Sequence, residues 1–128
     1  MRFSVLLIVL YWILKRAVVK KRPFKNYIGN IHNLRILIKT ADGKRGRLFI
    51  FDKGRIATKG GAKHEYDAAI IWSDATTAFQ VMSSMDDEAA FIAAAQGKMK
   101  IDGMAYFAQW FNDGVKIAMG NEGTSRTK

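Results

Sequence analysis

Cysteine is absent from the 128 residues. That removes disulfide frameworks, zinc–thiolate sites and cysteine nucleophiles, and it is compatible with any compartment. Histidine occurs only as His32 and His64. Neither is accompanied by a serine in a glycine elbow, by paired carboxylates in an apolar setting or by metal-ligand spacing, so no catalytic constellation is legible. His64-Glu65-x-Asp67 comes nearest to a metal cluster but lacks a third converging element. Gly60-Gly61-Ala62-Lys63 lacks the helix that follows a phosphate loop and reads as a flexible turn. The sequence is that of a non-enzyme, with no metal and no cofactor expected.

Acidic residues are scarce in the first half. Residues 1–63 hold 16 Lys or Arg against two acids, whereas residues 64–128 hold five against nine. Such asymmetry points the first half toward a polyanion, either nucleic acid or anionic lipid. Nucleic acid is the poorer fit. Arg47, Phe49 and Phe51 alternate with Leu48 and Ile50, so the aromatics share a face with at most one base, and no nucleic-acid signature motif is present.

What is present begins with an apolar run. Phe3 to Leu14 is apolar except for Ser4, and Lys15 to Arg22 follow with five bases. Twelve helical residues span about 18 Å, short of a hydrocarbon core of about 30 Å. Adding Ala17 to Val19, with Lys15 and Arg16 snorkelling, reaches the lower edge of a crossing length. No small-x-small cleavage site follows, so the run reads as a retained membrane anchor, with the following domain facing the cytoplasm. Lys15, Arg16, Lys20, Lys21, Arg22 and Lys25 are the expected membrane-surface residues. The alternative is an amphipathic or buried N-terminal helix packed on the domain.

After Pro23, a connector or short helix leads to four strands: Leu34–Lys39, Gly46–Phe51, Arg55–Lys59 and Ala68–Trp72. Asp42-Gly43 marks the first hairpin. Ser73 or Asp74 opens a helix carrying Phe79, Met82 and Met85, and Asp86-Asp87-Glu88 opens another, stopped by Gly97. Met99 and Ile101 alternate with charged residues as a short strand. Met104, Ala108, Phe111, Val115 and Ala118 then form one helical stripe, and Phe107, Trp110, Gly114 and Ile117 form a second beside it. So wide an apolar arc is either core or the wall of a greasy pocket. The expected units are an anchor at 1–22, a domain at 23–120 and a polar tail at 121–128.

This order, with Ala41-Asp42-Gly43-Lys44, Phe51-Asp52-Lys53-Gly54 and above all Gly97-Lys98-Met99-x-Ile101-x-Gly103, resembles the sterol carrier protein two family over about residues 34–119. The resemblance implies an α+β fold, a five-stranded mostly antiparallel sheet whose helices enclose an apolar lipid tunnel. It also implies a membrane-associated lipid-binding or transfer protein holding one fatty acyl, phospholipid, sterol or isoprenoid molecule. The family's helix ahead of the first strand is replaced here by the apolar run. The end Ser125-Arg126-Thr127-Lys128 is not a peroxisomal signal. The candidate ligand-binding residues are Trp72, Phe79, Met82, Met85, Phe91, Ile92, Met99, Ile101, Met104, Phe107, Ala108, Trp110 and Phe111, with Lys59 and Lys63 as guesses for a headgroup. The competing reading is a non-catalytic scaffold that recruits enzymes of lipid or quinone metabolism to the membrane. Lipid, an anionic membrane and partner enzymes are thus the expected partners.

Overall fold

In the computed structural model, residues 2–84 and 86–119 are described. The chain runs α1 (Arg2–Lys20), α2 (Arg22–Ile28), β1 (Leu34–Thr40), β2 (Gly46–Asp52), β3 (Arg55–Gly60), β4 (Ala68–Trp72), α3 (Ala75–Ser84), α4 (Asp87–Ala95), β5 (Met99–Gly103) and α5 (Ala105–Ala118). The class is α+β with a five-stranded sheet, as the resemblance implies. The expected tail at 121–128 and the candidate Met85 lie outside the described residues.

The sheet has the order β3-β2-β1-β4-β5. β1, β2 and β3 are an antiparallel meander, but β4 leaves it and pairs with β1 in parallel, Ile36 opposite Ala68 and Thr40 opposite Trp72. β5 then pairs antiparallel with β4. A parallel partner needs a crossover, here the segment 61–67. Tyr66 of this segment packs on Leu37, Leu48 and Ala69, which fill the sheet's outer face. The opposite face carries Leu34, Ile36, Ile38, Phe49, Phe51, Ala68 and Trp72, and all five helices contribute buried residues to the same core. Phe49 and Phe51 are therefore inside that core and no stacking platform for bases.

The N-terminal run is not a membrane anchor. Phe3, Leu7, Leu10, Leu14 and Ala17 recur at four- and three-residue spacing, and all are buried in the common core. Burying side chains of that size stabilises by about 1.5–3 kcal/mol each, more than enough to hold the helix on its own domain. Arg45 also donates to Ser4 Oγ at 3.5 Å. No helix among the described residues is long and apolar enough to cross a membrane. Lys15 and Arg16 interrupt the apolar run before it reaches spanning length. The expectation of an anchor that places the domain at the cytoplasmic leaflet is overturned on these grounds. What takes the anchor's place is the helix that the family resemblance calls for ahead of the first strand.

The motif from Gly97 to Gly103 has a conformational basis. Gly97, at φ +76°, follows the last turn of α4. Lys98 donates its N–H to Ala93 O at 2.8 Å and Gly97 to Ala94 O at 3.1 Å, which satisfies two carbonyls at the helix end. Gly103, at φ +80°, closes β5 against β4, where a Cβ would run into the Asp67 carbonyl oxygen. Between the glycines lie the four strand residues Met99 to Asp102, and Gly103 ends the strand before α5 begins.

Candidate functional site

A cavity of about 640 Å³ lies between the helices and the β1–β4–β5 part of the sheet. Its floor is Ile38, Ile70, Trp72, Met99 and Ile101. α1 supplies Leu6, Val9, Leu10 and Ile13; α3 supplies Val81, Met82 and Ser83; α4 supplies Asp87, Ala90, Phe91 and Ala94, preceded by Asp86; α5 supplies Ala108, Gln109, Phe111, Asn112, Val115 and Lys116. Met119 completes the wall. The space exists because short side chains face it. α4 reads Asp-Glu-Ala-Ala-Phe-Ile-Ala-Ala-Ala, and Ala90, Ala94 and Ala108 stand where larger residues would fill the gap.

The polar groups are few and mostly engaged. Lys116 pairs with Asp87 across α5 and α4, and Asn112 Nδ2 donates to Asp87 at 3.5 Å. The ammonium, by donating to it, holds the Asp87 carboxyl below the usual carboxylate range. Asp86 caps α4 by accepting from the Glu88 N–H at 3.0 Å. Gln109 donates to Asp113 at 2.9 Å. One donor stands apart. The indole N–H of Trp72, a residue only 3% exposed, has no acceptor among the described residues.

Next to the cavity the core is solid. Trp110 stacks on Tyr27 at 5.2 Å between ring centroids and meets Phe51 edge-on at 5.1 Å. Phe111 lies against Phe49 and Phe51 at 5.6 and 5.8 Å. Tyr27 donates its hydroxyl to Trp110 O at 2.8 Å. Burial, with Asp113 nearby, pushes the Tyr27 phenol up to about 12.

Of the thirteen candidate ligand-binding residues, Trp72, Met82, Phe91, Met99, Ile101, Ala108 and Phe111 meet at the cavity. Phe79, Ile92, Met104, Phe107 and Trp110 do not line it. Ile92 and Met104 are exposed, Phe107 is half-buried, and Trp110 belongs to the solid core. Lys59 and Lys63 are exposed on β3 and in the crossover, and neither lines the cavity. The four α1 residues are absent from those candidates because their mean hydropathy assigns the run to a bilayer. Its 3-7-10-14-17 spacing was the available signal, since a helix with one buried face offers its flank to the neighbouring space. His64 donates its Nε2–H to Gly60 O, 2.8 Å away, and Asp67 accepts from the Arg35 N–H at 2.9 Å. No metal-holding group of three His, Cys, Asp or Glu occurs among the described residues.

No family model matches the chain. No curated protein matches it either. Solved structures do. "UbiJ-SCP2 Ubiquinone synthesis protein" superimposes with a TM-score of 0.64 at 13% identity, over 90% of this chain and 88% of that one. "Crystal structure of sterol carrier protein 2" gives 0.56 at 16% identity, over 89% and 95%. The chain has the sterol carrier protein 2 fold. At such identities the likeness is one of fold, and both neighbours are matched over nearly their whole length. The likeness extends well beyond residues 34–119, so it includes much of the helical N-terminal part.

Proposed function

We propose that the protein binds one apolar lipid in the cavity between α1, α3, α4, α5 and the sheet, and carries or presents it. The observation behind this reading is the cavity itself. At about 640 Å³ it falls within the 300–1,000 Å³ typical of small-molecule sites, and its walls are mainly aliphatic, aromatic and methionine side chains. About a dozen buried methylenes gain roughly 10 kcal/mol before the costs of ordering a flexible chain. No catalytic group is needed for that, and Met82, Met99 and Met119 give the walls adaptability. The fold shared with a sterol carrier protein and a ubiquinone synthesis protein supports lipid carriage and directs attention to isoprenoid cargo.

Contact with membranes follows from charge and needs no spanning segment. Lys15, Arg16, Lys20, Lys21, Arg22 and Lys25 are all exposed on α1, α2 and the residue joining them. Each base near an anionic leaflet contributes about 1 kcal/mol, and the attraction is screened by salt.

The scaffold reading draws on a different feature. Phe91 is 74% exposed and Tyr106 71% exposed, with Ile92 and Met104 also exposed, an apolar surface on α4 and at the start of α5 that a partner protein could cover.

The test is native mass spectrometry of the full chain, never exposed to detergent, with extraction of whatever co-purifies. The full chain is required because α1 forms part of the wall. A stoichiometric adduct that resolves to one lipid class supports the carrier. A bare protein that takes up no fatty acid, phospholipid, sterol or polyprenyl lipid when these are offered would sink it and leave the scaffold.

A further inference from the structure

We infer that a second copy of this chain docks on β5, edge to edge and antiparallel, about a two-fold axis at Ile101. The inference goes beyond lipid binding and stands whether or not the cavity holds a lipid.

β5 is the last strand of the sheet, with β4 on one side and no strand on the other. The bonds at its two ends fix the phase of its backbone. Ser73 donates its N–H to Lys98 O at 2.8 Å, and Met104 donates to Asp67 O at 3.0 Å. The residues that bond toward β4 are therefore 98, 100, 102 and 104, and the N–H and C=O groups of Met99, Ile101 and Gly103 point outward. Unpaired edge groups of this kind are a template for another strand. In an antiparallel pair centred on Ile101, Ile101 meets its own copy and Met99 meets the partner's Gly103. Each such pair exchanges two hydrogen bonds through the outward groups.

Charge selects this register. Lys100 and Asp102 are both exposed and stand on the outer face of the sheet, where Asp102 accepts from the Tyr66 hydroxyl. With the axis at Ile101, Lys100 lies opposite the partner's Asp102, and Asp102 opposite the partner's Lys100. Both pairs occupy the closely spaced, non-hydrogen-bonded position, where opposite charges stabilise and like charges repel. A slip of two residues in either direction sets Lys100 on its own copy or Asp102 on its own copy. The other edge of the sheet is built the opposite way. In β3 the same pairing about Ala57 would put Arg55 against the partner's Lys59.

The side chains beside β5 also fit a covered edge. Ile101 is 43% exposed and Met104 57%, and Phe91 of α4 is exposed although it lines the cavity with Ile101. The two-fold axis stands perpendicular to the sheet, so the helix-covered faces of both copies lie on one side. Ile101 then abuts its own copy there, and apolar surface that water now meets is removed from it.

Sedimentation of the full chain from about 10 μM to 1 mM, a range suited to a small interface, is expected to show monomer passing to dimer. Lys100→Asp and Asp102→Lys, each alone, are expected to weaken the dimer about tenfold, because each makes both cross-strand pairs like-charged. Their equimolar mixture is expected to dimerise as wild type does, since every pair between the two variants is again opposite in sign. A second measurement uses the absence of cysteine. Opposed residues in a non-hydrogen-bonded pair have Cα atoms about 4.5 Å apart, within disulfide reach. A mixture of Lys100→Cys with Asp102→Cys is therefore expected to give a disulfide-linked dimer under mild oxidation, at least about tenfold faster than either variant alone. A chain that stays monomeric to about 1 mM overturns the inference. So does a dimer that both charge variants leave unchanged, or one in which the cysteine mixture links no faster than its components; either would move the contact to another face.

Discussion

Over β1 and β2 the helices set down Phe24, Tyr27, Trp110 and Phe111, while over β4 and β5 they set down Met82, Ala90, Ala94 and Ala108. The same sheet therefore supports two different interiors. In the first, Leu14, Phe24, Ile28, Phe51 and Trp110 surround a gap with no room for a water. In the second, alanines and flexible thioethers leave about 640 Å³ open. The difference shows how one layer of side chains divides labour. Aromatic rings interlocked at 5–6 Å supply stability, which lets the neighbouring half remain hollow without unfolding the domain.

The largest effect expected from breaking this division is on the solid side. Phe51 is 2% exposed and touches both Trp110 and Phe111. Phe51→Ala removes a ring from a region that cannot collapse, and is expected to destabilise by about 3–5 kcal/mol. Chemical denaturation checks it. A loss below about 1 kcal/mol would mean that the aromatic block is not what holds the fold.

On the hollow side, enlarging a side chain is expected to do the reverse of what it does in a packed core. Ala90 is half-buried on the cavity wall. Ala90→Leu is expected to leave stability within about 1 kcal/mol of wild type, because the added methyls enter vacant space, and to weaken lipid uptake about tenfold or more. Binding of a fluorescent acyl probe by both proteins, beside their denaturation curves, decides the matter. Undiminished uptake would place the lipid elsewhere.

This contrast also explains how much the sequence shows. Element types were legible because periods of two and 3.6 are local: Met99 and Ile101 alternate, and Ala108, Phe111, Val115 and Ala118 of the first α5 stripe reach the core, while Met104 at its head is exposed. The extent of the hollow was not, because emptiness is a property of several packed elements at once. Trp110 and Phe111 are neighbours of similar bulk, yet one lies in the aromatic block and the other also faces the cavity, a division set by which helix crosses above them. The parallel pairing of β4 with β1 was equally hidden, since nothing in Ala68–Trp72 itself says whether it continues the meander or crosses over. α1 failed for a more instructive reason. Mean hydropathy does not separate a bilayer from a protein core as solvent; the seven-residue recurrence of Phe3, Leu10 and Ala17 with Leu7 and Leu14 between does.

A smaller effect sharpens the solid side further. Tyr27 stacks on Trp110 and donates to its carbonyl, and its phenol titrates near 12 instead of 10, chiefly through burial. The folded state holds this proton more tightly than the unfolded state does. Tyr27 therefore contributes stability that is fully present below pH about 10, the unfolded value, and is lost as pH rises through the folded value. Tyr27→Phe is expected to destabilise by about 1 kcal/mol at neutral pH, the loss of one hydrogen bond, and to flatten the alkaline decline. Thermal melts across that range test it, and an unchanged alkaline limb would assign the decline to other groups.

The smallest effect belongs to the ion pair found on the cavity wall among the described residues. Asp87 and Lys116 join α4 to α5, and the carboxylate side chain is 63% exposed, so the pair contributes at most about 1 kcal/mol. Its value lies in position. Because the Asp87 pKa is depressed in the folded state, the link is intact above pH about 4, the ordinary carboxylate value, and is lost as pH falls through the lower folded value. Lys116→Gln is expected to leave stability almost unchanged and to speed lipid exchange at neutral pH. Acidification should speed exchange in wild type and have little further effect in the variant. Stopped-flow transfer of a fluorescent lipid to vesicles reads both. Equal exchange rates in the two proteins would show that α4 and α5 do not part to admit the ligand, and would move the entrance to the side of the cavity walled by Leu6, Val9 and Ile13 of α1.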